Sequence, residues 1–322
     1  MLDEAGIERL LDVAGYAPET PLAVGVGLPS GGSVFAAHGL AEDDLAYAAS
    51  LAKQVTGACA ALLARDGALD VEAPIGTLLP ELPVWAQAAR VRHLLHHTAG
   101  LPSTDTVWEL MATKGERDWT SDGVVAALSA IPDPGQTPGA AYAYSNVGYV
   151  CLARIIERLV GQSLGHLART RLFQPLRMHD TILWSGPQAA PPHAALRQAL
   201  QPPAPLSVGD GGLWTTVRDL MRWNDALLVD TLGIATVLHT PGALDDGTPL
   251  YYAWGVRVFR QDGERVESHG GSWEGATAKL VRLPDRNASF AVLALDDNVE
   301  RMTELSSALQ HALARDGGTT RT

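Results

Sequence analysis

The segment Ala48–Ala64, AASLAKQVTGACAALLA, is apolar and alanine-rich apart from one charge, Lys53. A helix that is apolar all round is a buried helix. This run therefore fixes a core helix and places a lysine inside it. Lysine is scarce in the chain, three residues against 21 arginines. Moving an ammonium into an apolar site costs several kcal/mol unless it is paired or neutralised. Ser50 stands three residues before Lys53, and residues at that spacing share a helix face. Desolvation favours the neutral amine of a lysine, the form that accepts a proton. A serine beside such a lysine is one known way to make an oxygen nucleophile. Ser50 opens the helix or sits in its first turn, where its backbone N–H favours a developing negative charge. The plain alternative is a surface serine and a lysine that snorkels to solvent.

The 322 residues suffice for one large domain or two subdomains, and 46% hydrophobic with 19% charged is a globular composition. A formal charge of −12 and a pI near 5.2 argue against a nucleic-acid or acidic-membrane partner, and plain solubility is the simple reading of that charge. Cys59 and Cys151 fall in apolar helical patterns and read as buried free thiols. The opening MLDEAGIERLLDVAG is amphipathic and lacks the basic and apolar regions of a signal peptide. No run has the length of a transmembrane helix. The expected location is the cytoplasm.

Residues 3–15 read as a helix. Leu22–Leu28 and Ser33–Leu40 read as strands joined by a hairpin at Ser30-Gly31-Gly32. The Lys53 helix stops at Arg65-Asp66-Gly67. From about 70 to 210 the chain is rich in Pro, Gly and short helical patterns, including Ser121–Ile131 and Asn146–Val160, with a break at Pro202–Pro205. A helix is expected from Gly211 through Val217 to Leu228. Strands follow at Tyr251–Arg260, Arg265–His269, Ala276–Leu283 and Ser289–Leu295, with a turn at Pro284–Asn287 and a closing helix over 299–314. Strands at both ends and helices between them predict an α+β fold: an antiparallel sheet flanked by helices, with a mostly helical insert. Residues 1–70 and 211–322 form the expected sheet subdomain and 71–210 the helical one, together a single catalytic unit. The site is expected in the cleft between them.

Two further motifs carry polar chemistry. Tyr144-Ser145-Asn146 precedes the apolar helix Val147–Val160. A tyrosine hydroxyl relays protons when a cation stands near it, and an asparagine amide both donates and accepts. Helix capping by Ser145 or Asn146 is the alternative. His269-Gly270-Gly271-Ser272-Trp273 lies between two expected strands. Its glycines let a substrate approach a strand edge, and a backbone N–H there supplies an oxyanion donor. A simple glycine turn with an incidental histidine is the alternative. Trp214, Trp254 and Trp273 stand near these segments as pocket wall or core, with Trp273 the best pocket candidate. His96 and His97, adjacent in sequence, do not share a helix face and so do not form a metal pair. No metal-ligand spacing and no G-x-G-x-x-G or P-loop pattern occurs, so no metal and no nucleotide cofactor is expected.

In order, these serine, tyrosine and histidine motifs resemble those of the serine β-lactamase and penicillin-binding-protein superfamily. The similarity is closest to class C-type β-lactamases and the related esterases and D-aminopeptidases. Leu94–Pro102, LLHHTAGLP, resembles the family's LLTHTSGLP; Pro138–Tyr149 resembles its PG…YSN.GY segment; Gly211–Thr216 resembles its GGL.ST segment. The likeness runs from about residue 20 to 297. It implies the β-lactamase/transpeptidase-like fold and an acyl-enzyme on Ser50. Lys53 would take or orient the serine proton. Tyr144 would shuttle protons with it, and Asn146 would anchor Lys53 and contact substrate. His269 would replace the lysine of the K-T-G form, adding a donor next to Tyr144. The N–H groups of Ser50 and Ser272 would form the oxyanion hole.

Three departures accompany the resemblance. His269 stands in place of lysine, as in esterase and peptidase branches, and histidine is not reliably charged at neutral pH. Glu274 occupies the place of a proline after Trp273. The apparent lack of an export signal disfavours a defensive or wall-building role. The expected activity is hydrolysis of an ester or amide through an acyl-enzyme. The alternatives are transfer of the acyl group to an amine or alcohol, β-lactam or D-aminopeptide hydrolysis, and a non-catalytic binder with the same fold. The expected partners are a small acyl donor and, for transfer, an amine or alcohol acceptor.

Overall fold

A computed structural model describes residues 2–114, 119–186, 190–194, 200 and 203–316; Pro202 of the expected break lies outside them. Among the described residues nine strands form two antiparallel sheets. The strands are β1 (Leu22–Gly27), β2 (Ser33–His38), β3 (Ala46–Tyr47), β4 (Ile182–Leu183), β5 (Leu213–Thr215), β6 (Arg257–Gln261), β7 (Glu264–Trp273), β8 (Ala276–Leu283) and β9 (Ala288–Ala294). The larger sheet has the order β2-β1-β9-β8-β7-β6, so the two ends of the chain meet at its centre, where β1 pairs with β9.

The central strands are apolar on both faces because both faces are covered. On β1, Leu22, Val24 and Val26 pack with helix α1 (Glu4–Val13) and the closing helix α5 (Val299–Asp316). The opposite face of β1 carries Ala23 and Gly25. A side chain at Gly25 would stand 2.7 Å from Met221 of helix α4 (Val217–Leu228). β9 alternates in the same way, with Phe290 and Val292 on one side and Ala291 and Leu293 on the other. Two-sided burial explains why these strands read as continuous apolar runs.

The alanine-rich run becomes helix α2 (Ala52–Arg65), preceded by a 3-10 turn at Ala49–Leu51. Every residue of α2 from Ala52 to Leu63 is buried. Its small residues allow close approach: a side chain at Gly57 would meet the Trp254 carbonyl oxygen at 2.2 Å. Helix α3 (Asn146–Val160) also packs against α2. Ser145 caps α3 by accepting the Gly148 N–H at 3.0 Å, and Gly161, at φ 66°, closes it.

Three expectations change. Leu213–Thr215 is not the start of a helix but strand β5, between β3 and β4 in a second, three-stranded sheet. Strands of two or three residues are too short to show a period of two. The strand expected from Tyr251 begins only at Arg257. Residues before it run against α2, where Tyr252 makes a single bridge to Arg257. The histidine–glycine motif is not a turn between strands; it is the last half of the ten-residue β7. Cys59 and Cys151 are buried and unpaired, as expected.

Candidate active site

Lys53 is fully buried, and its ammonium meets three oxygens. It lies 3.1 Å from Ser50 Oγ, 2.8 Å from Asn146 Oδ1 and 2.7 Å from the Asp210 carbonyl oxygen. Two of these, an amide and a peptide oxygen, only accept. Lys53 therefore donates two protons to fixed partners whatever its charge. The third tetrahedral position points at Ser50 and holds a proton on the ammonium or a lone pair on the amine. That geometry lets Lys53 receive the serine proton without moving.

The placement follows from local folding. Ser50 and Lys53 come to one face as the 3-10 turn passes into α2. Thr56, one turn further, holds the Gly209 carbonyl at 2.9 Å, so α2 grips two successive carbonyls of the 209–210 segment. Ala49, immediately before Ser50, has φ 45°. A non-glycine residue there is strained, typically by about 1–3 kcal/mol. The backbone on either side is anchored: the Ala48 N–H donates to the Leu213 carbonyl at 2.9 Å, continuing the β3–β5 pairing.

β7 passes Ser50 edge-on. β6 pairs with β7 only as far as Ser268, so from His269 onward that edge has no strand partner and lies against the Ser50 turn. Contact is close at Gly271, where a side chain would stand 2.3 Å from the Ala48 oxygen and 3.2 Å from the Ser50 nitrogen. Only glycine fits. Ser272 follows, exposed, and Trp273 is half-buried beside Trp184 and Ala49. Trp214 and Trp254 are core residues; Trp214 packs on Tyr47 with ring centroids 5.1 Å apart.

Tyr144 is 40% exposed, and its ring centre lies 4.9 Å from the Lys53 ammonium. Beneath it sits a cluster of His97, Tyr142, Tyr149 and Tyr252. The sequence motifs thus converge: Ser50, Lys53 and Asn146 touch directly, Tyr144 covers Lys53, and β7 lines the edge.

His269 differs from its expected part. Its Nδ1 lies 2.6 Å from the Gly270 carbonyl oxygen, which only accepts, so Nδ1 carries the proton. Its Nε2 then accepts from the Tyr252 hydroxyl at 2.9 Å. Both nitrogens are occupied. Burial, reinforced by the Lys53 charge, pushes its pKa down to about 3. His269 is therefore a neutral, enclosed ring, 6.3 Å centre to centre from Tyr144, with no proton to offer into the cleft.

Sequence reasoning missed the Asp210 carbonyl on Lys53 and the Tyr252 hydroxyl on His269. The glycines around Asp210 were the available signal, since Gly209 (φ 105°) and Gly212 (φ 79°) mark a backbone that must bend. Among the described residues no cluster of three or more His, Cys, Asp or Glu side chains is arranged to hold a metal ion. Nor is any helix long and apolar enough to cross a membrane. A cavity of about 720 Å³ opens elsewhere, bounded by Leu45, Phe173, Leu183 and Trp184; Ser50, Lys53 and Tyr144 do not line it.

Comparison with known proteins shows the family and the fold. Penicillin-binding protein 4* of Bacillus subtilis is 27% identical over 292 residues, covering 82% of this chain and 63% of that protein. The D-aminopeptidase of Brucella ovis is 27% identical over 218 residues, 63% of this chain and 41% of its own length. The chain thus spans about two fifths to three fifths of these relatives. Among solved structures, the octameric penicillin-binding protein homologue from Pyrococcus abyssi superposes with a TM-score of 0.78 at 19% identity, covering 96% of this chain and 77% of the other. A D-stereospecific amidohydrolase from Streptomyces gives 0.76 at 23%, covering 95% and 98%. Both share the fold, mixed α and β around an antiparallel sheet. The family model described as Beta-lactamase matches residues 22–313, from β1 into α5, and by that match the chain belongs to the Beta-lactamase family.

Proposed function

We propose that this protein is a serine hydrolase that cleaves an ester or amide through an acyl-enzyme on Ser50. The observation that carries the proposal is the Lys53 nitrogen, buried and fixed by Asn146 and Asp210 with its remaining position aimed at Ser50 Oγ. In the acylation step Ser50 Oγ bonds to the acyl carbon as its proton passes to Lys53. The leaving group departs with a proton delivered through Lys53 and Tyr144. Water then attacks the acyl-enzyme, gives up a proton along the same route and releases the acid. The N–H groups of Ser50 and Ser272 are assigned to the oxyanion, a role worth roughly 3–4 kcal/mol per donor.

A second reading narrows the substrate to a D-amino-acid amide or peptide. It is favoured by the relatives named D-aminopeptidase and by the likeness to the D-amino acid amidase of Ochrobactrum anthropi, TM-score 0.77 at 22% identity. β-Lactam hydrolysis is less favoured, because the neutral, enclosed His269 offers no charge to a β-lactam carboxylate. Acyl transfer to an amine or alcohol uses the same first step and differs only in what attacks the acyl-enzyme.

The test is covalent labelling by a fluorophosphonate, read by intact mass, with Ser50→Ala as control. Labelling of wild type alone, with turnover of p-nitrophenyl esters, is expected. A wild-type protein that takes no label and hydrolyses no activated ester refutes the proposal. Partition of the product to an added amine over water identifies a transferase. A panel of D- and L-amino-acid amides decides the substrate.

A further inference from the structure

We propose that His97 is the positioning residue for Tyr144, holding that ring over Lys53 without touching substrate. The proposal rests on the reading of Tyr144 as the proton-transfer group. His97 clasps the chain on both sides of Tyr144: its carbonyl oxygen accepts the Ala143 N–H at 2.8 Å, and its Nδ1 accepts the Ser145 N–H at 3.0 Å. Between these two bonds the imidazole lies against the Tyr144 ring, with centres 4.4 Å apart. Tyr144 has no helix or strand of its own to fix it, since α3 begins only at Asn146.

The backbone of His97 is adapted to this grip. It has φ 58°, in the left-handed region, so that its carbonyl and ring both face the 143–145 segment. Histidine is among the few non-glycine residues found there with any frequency. The ring is 1% exposed, which excludes contact with substrate. Because Nδ1 accepts, the neutral ring carries its proton on Nε2, and that atom is buried with no hydrogen-bond partner. An orphaned buried N–H is rare. Its surroundings are aromatic: the Tyr252 ring stands edge-on, centres 4.4 Å apart at 61°, a weak N–H-to-ring partner. Burial and the Lys53 charge keep the ring's pKa well below the usual histidine range, so the accepting form persists. A polar ring is therefore retained at the centre of an aromatic cluster, where phenylalanine would pack but supply no acceptor for Ser145.

The decisive experiment compares two amides. In His97→Asn the side-chain oxygen falls where Nδ1 stands, and asparagine accepts the left-handed backbone. In His97→Gln the oxygen falls one bond further, where Nε2 stands, and the Ser145 N–H loses its acceptor. With p-nitrophenyl butyrate, His97→Gln should lose about 100-fold in kcat, the scale of an ångström-sized misplacement. KM should change little, and His97→Asn should stay within about ten-fold of wild type. In a Tyr144→Phe background the His97→Gln loss should shrink to about two-fold or less, because the residue being positioned no longer transfers a proton. Equal losses in both backgrounds, or a folded His97→Asn as impaired as His97→Gln, overturn the proposal. Crystal structures of the variants decide it independently of activity. A Tyr144 ring that leaves Lys53 in the Gln variant and stays in the Asn variant supports it; a ring unmoved in both refutes it. If wild type forms no acyl-enzyme, the hydrolase reading falls while this structural arm still stands or fails by itself.

Discussion

Lowering the pH from 7 to 5 should strip this fold of much of its stability, through histidines that it keeps neutral. His239 and His269 are 5% and 6% exposed, and His97 is 1% exposed. His239 sits against Arg282 and Glu267, accepting from Arg282 at Nε2 (3.1 Å) and facing Glu267 from Nδ1 (3.1 Å). Burial, with the Arg282 and Arg265 charges, holds its pKa down at about 2, while that of His269 lies at about 3. In the unfolded chain each titrates near 6.5. Above 6.5 both states are neutral and the stability is fully present. Below it the unfolded chain binds protons that the fold refuses, so stability falls as the pH falls. Integrating from pH 7 to pH 5 gives about 2 kcal/mol per histidine, or about 4 kcal/mol for His239 and His269 together. His97, shifted in the same direction, adds to the loss. Domains of this kind are stable by about 5–15 kcal/mol in all.

The assay is guanidinium unfolding followed by tryptophan fluorescence at pH 7, 6 and 5, where most carboxylates remain ionised. The extrapolated unfolding free energy should fall by at least about 4 kcal/mol across the window, with uptake of two or more protons on unfolding. An unfolding free energy at pH 5 equal to that at pH 7 would show that these rings are protonated in the native protein, and the tautomers assigned to His239 and His269 would be wrong.

Two further substitutions separate chemistry from folding. Lys53→Met removes the buried nitrogen and leaves the Asn146 and Asp210 oxygens without their donor, a loss of about 1–3 kcal/mol each, offset in part by the apolar side chain in an apolar site. The net change in unfolding free energy should stay within a few kcal/mol while ester hydrolysis falls at least about 1,000-fold, and hydrolysis within ten-fold of wild type sinks the base assignment. Ala49→Gly relieves the φ of 45° and should raise stability by about 1 kcal/mol in thermal unfolding; a lower Tm would mean that the turn is not strained.

What was legible in the sequence was what side chains announce. The alanine-rich run gave α2 because burial on all sides leaves no polar face to mistake. β8 and α3 were found to the residue, their limits marked by the Pro284 turn, the Ser145 cap and Gly161. The i, i+3 spacing put Ser50 beside Lys53, the resemblance to the family added Asn146 as the Lys53 anchor, and the structure holds both against the Lys53 nitrogen. Within Tyr144-Ser145-Asn146, Ser145 caps α3 and Asn146 accepts from Lys53, so capping and a lysine contact occur side by side. The family motif assigned His269 a donor's part. Its identity alone carried no record of the Tyr252 hydroxyl 17 residues earlier, which takes the Nε2 nitrogen.

Two other misses share a physical cause: each depends on main-chain atoms. Any residue supplies a carbonyl, so nothing in the letter at 210 marks the oxygen that holds Lys53. The same holds for β3 and β5, two and three residues long, which sequence periodicity passes over. Yet these strands set the site. β3 leads into the Ser50 turn, β5 follows the Asp210 carbonyl, and they are joined by the pairs Ala46 to Thr215 and Tyr47 to Trp214. The Ala48 N–H to the Leu213 carbonyl extends the ladder to within two residues of Ser50. Ser50 and the backbone that fixes Lys53 are thus two branches of one small sheet. A shift of one branch relative to the other would separate Ser50 from Lys53 without altering any side chain of the motif. The strain at Ala49 is tolerated because that ladder, α2 and the Gly271 contact hold the turn from three sides.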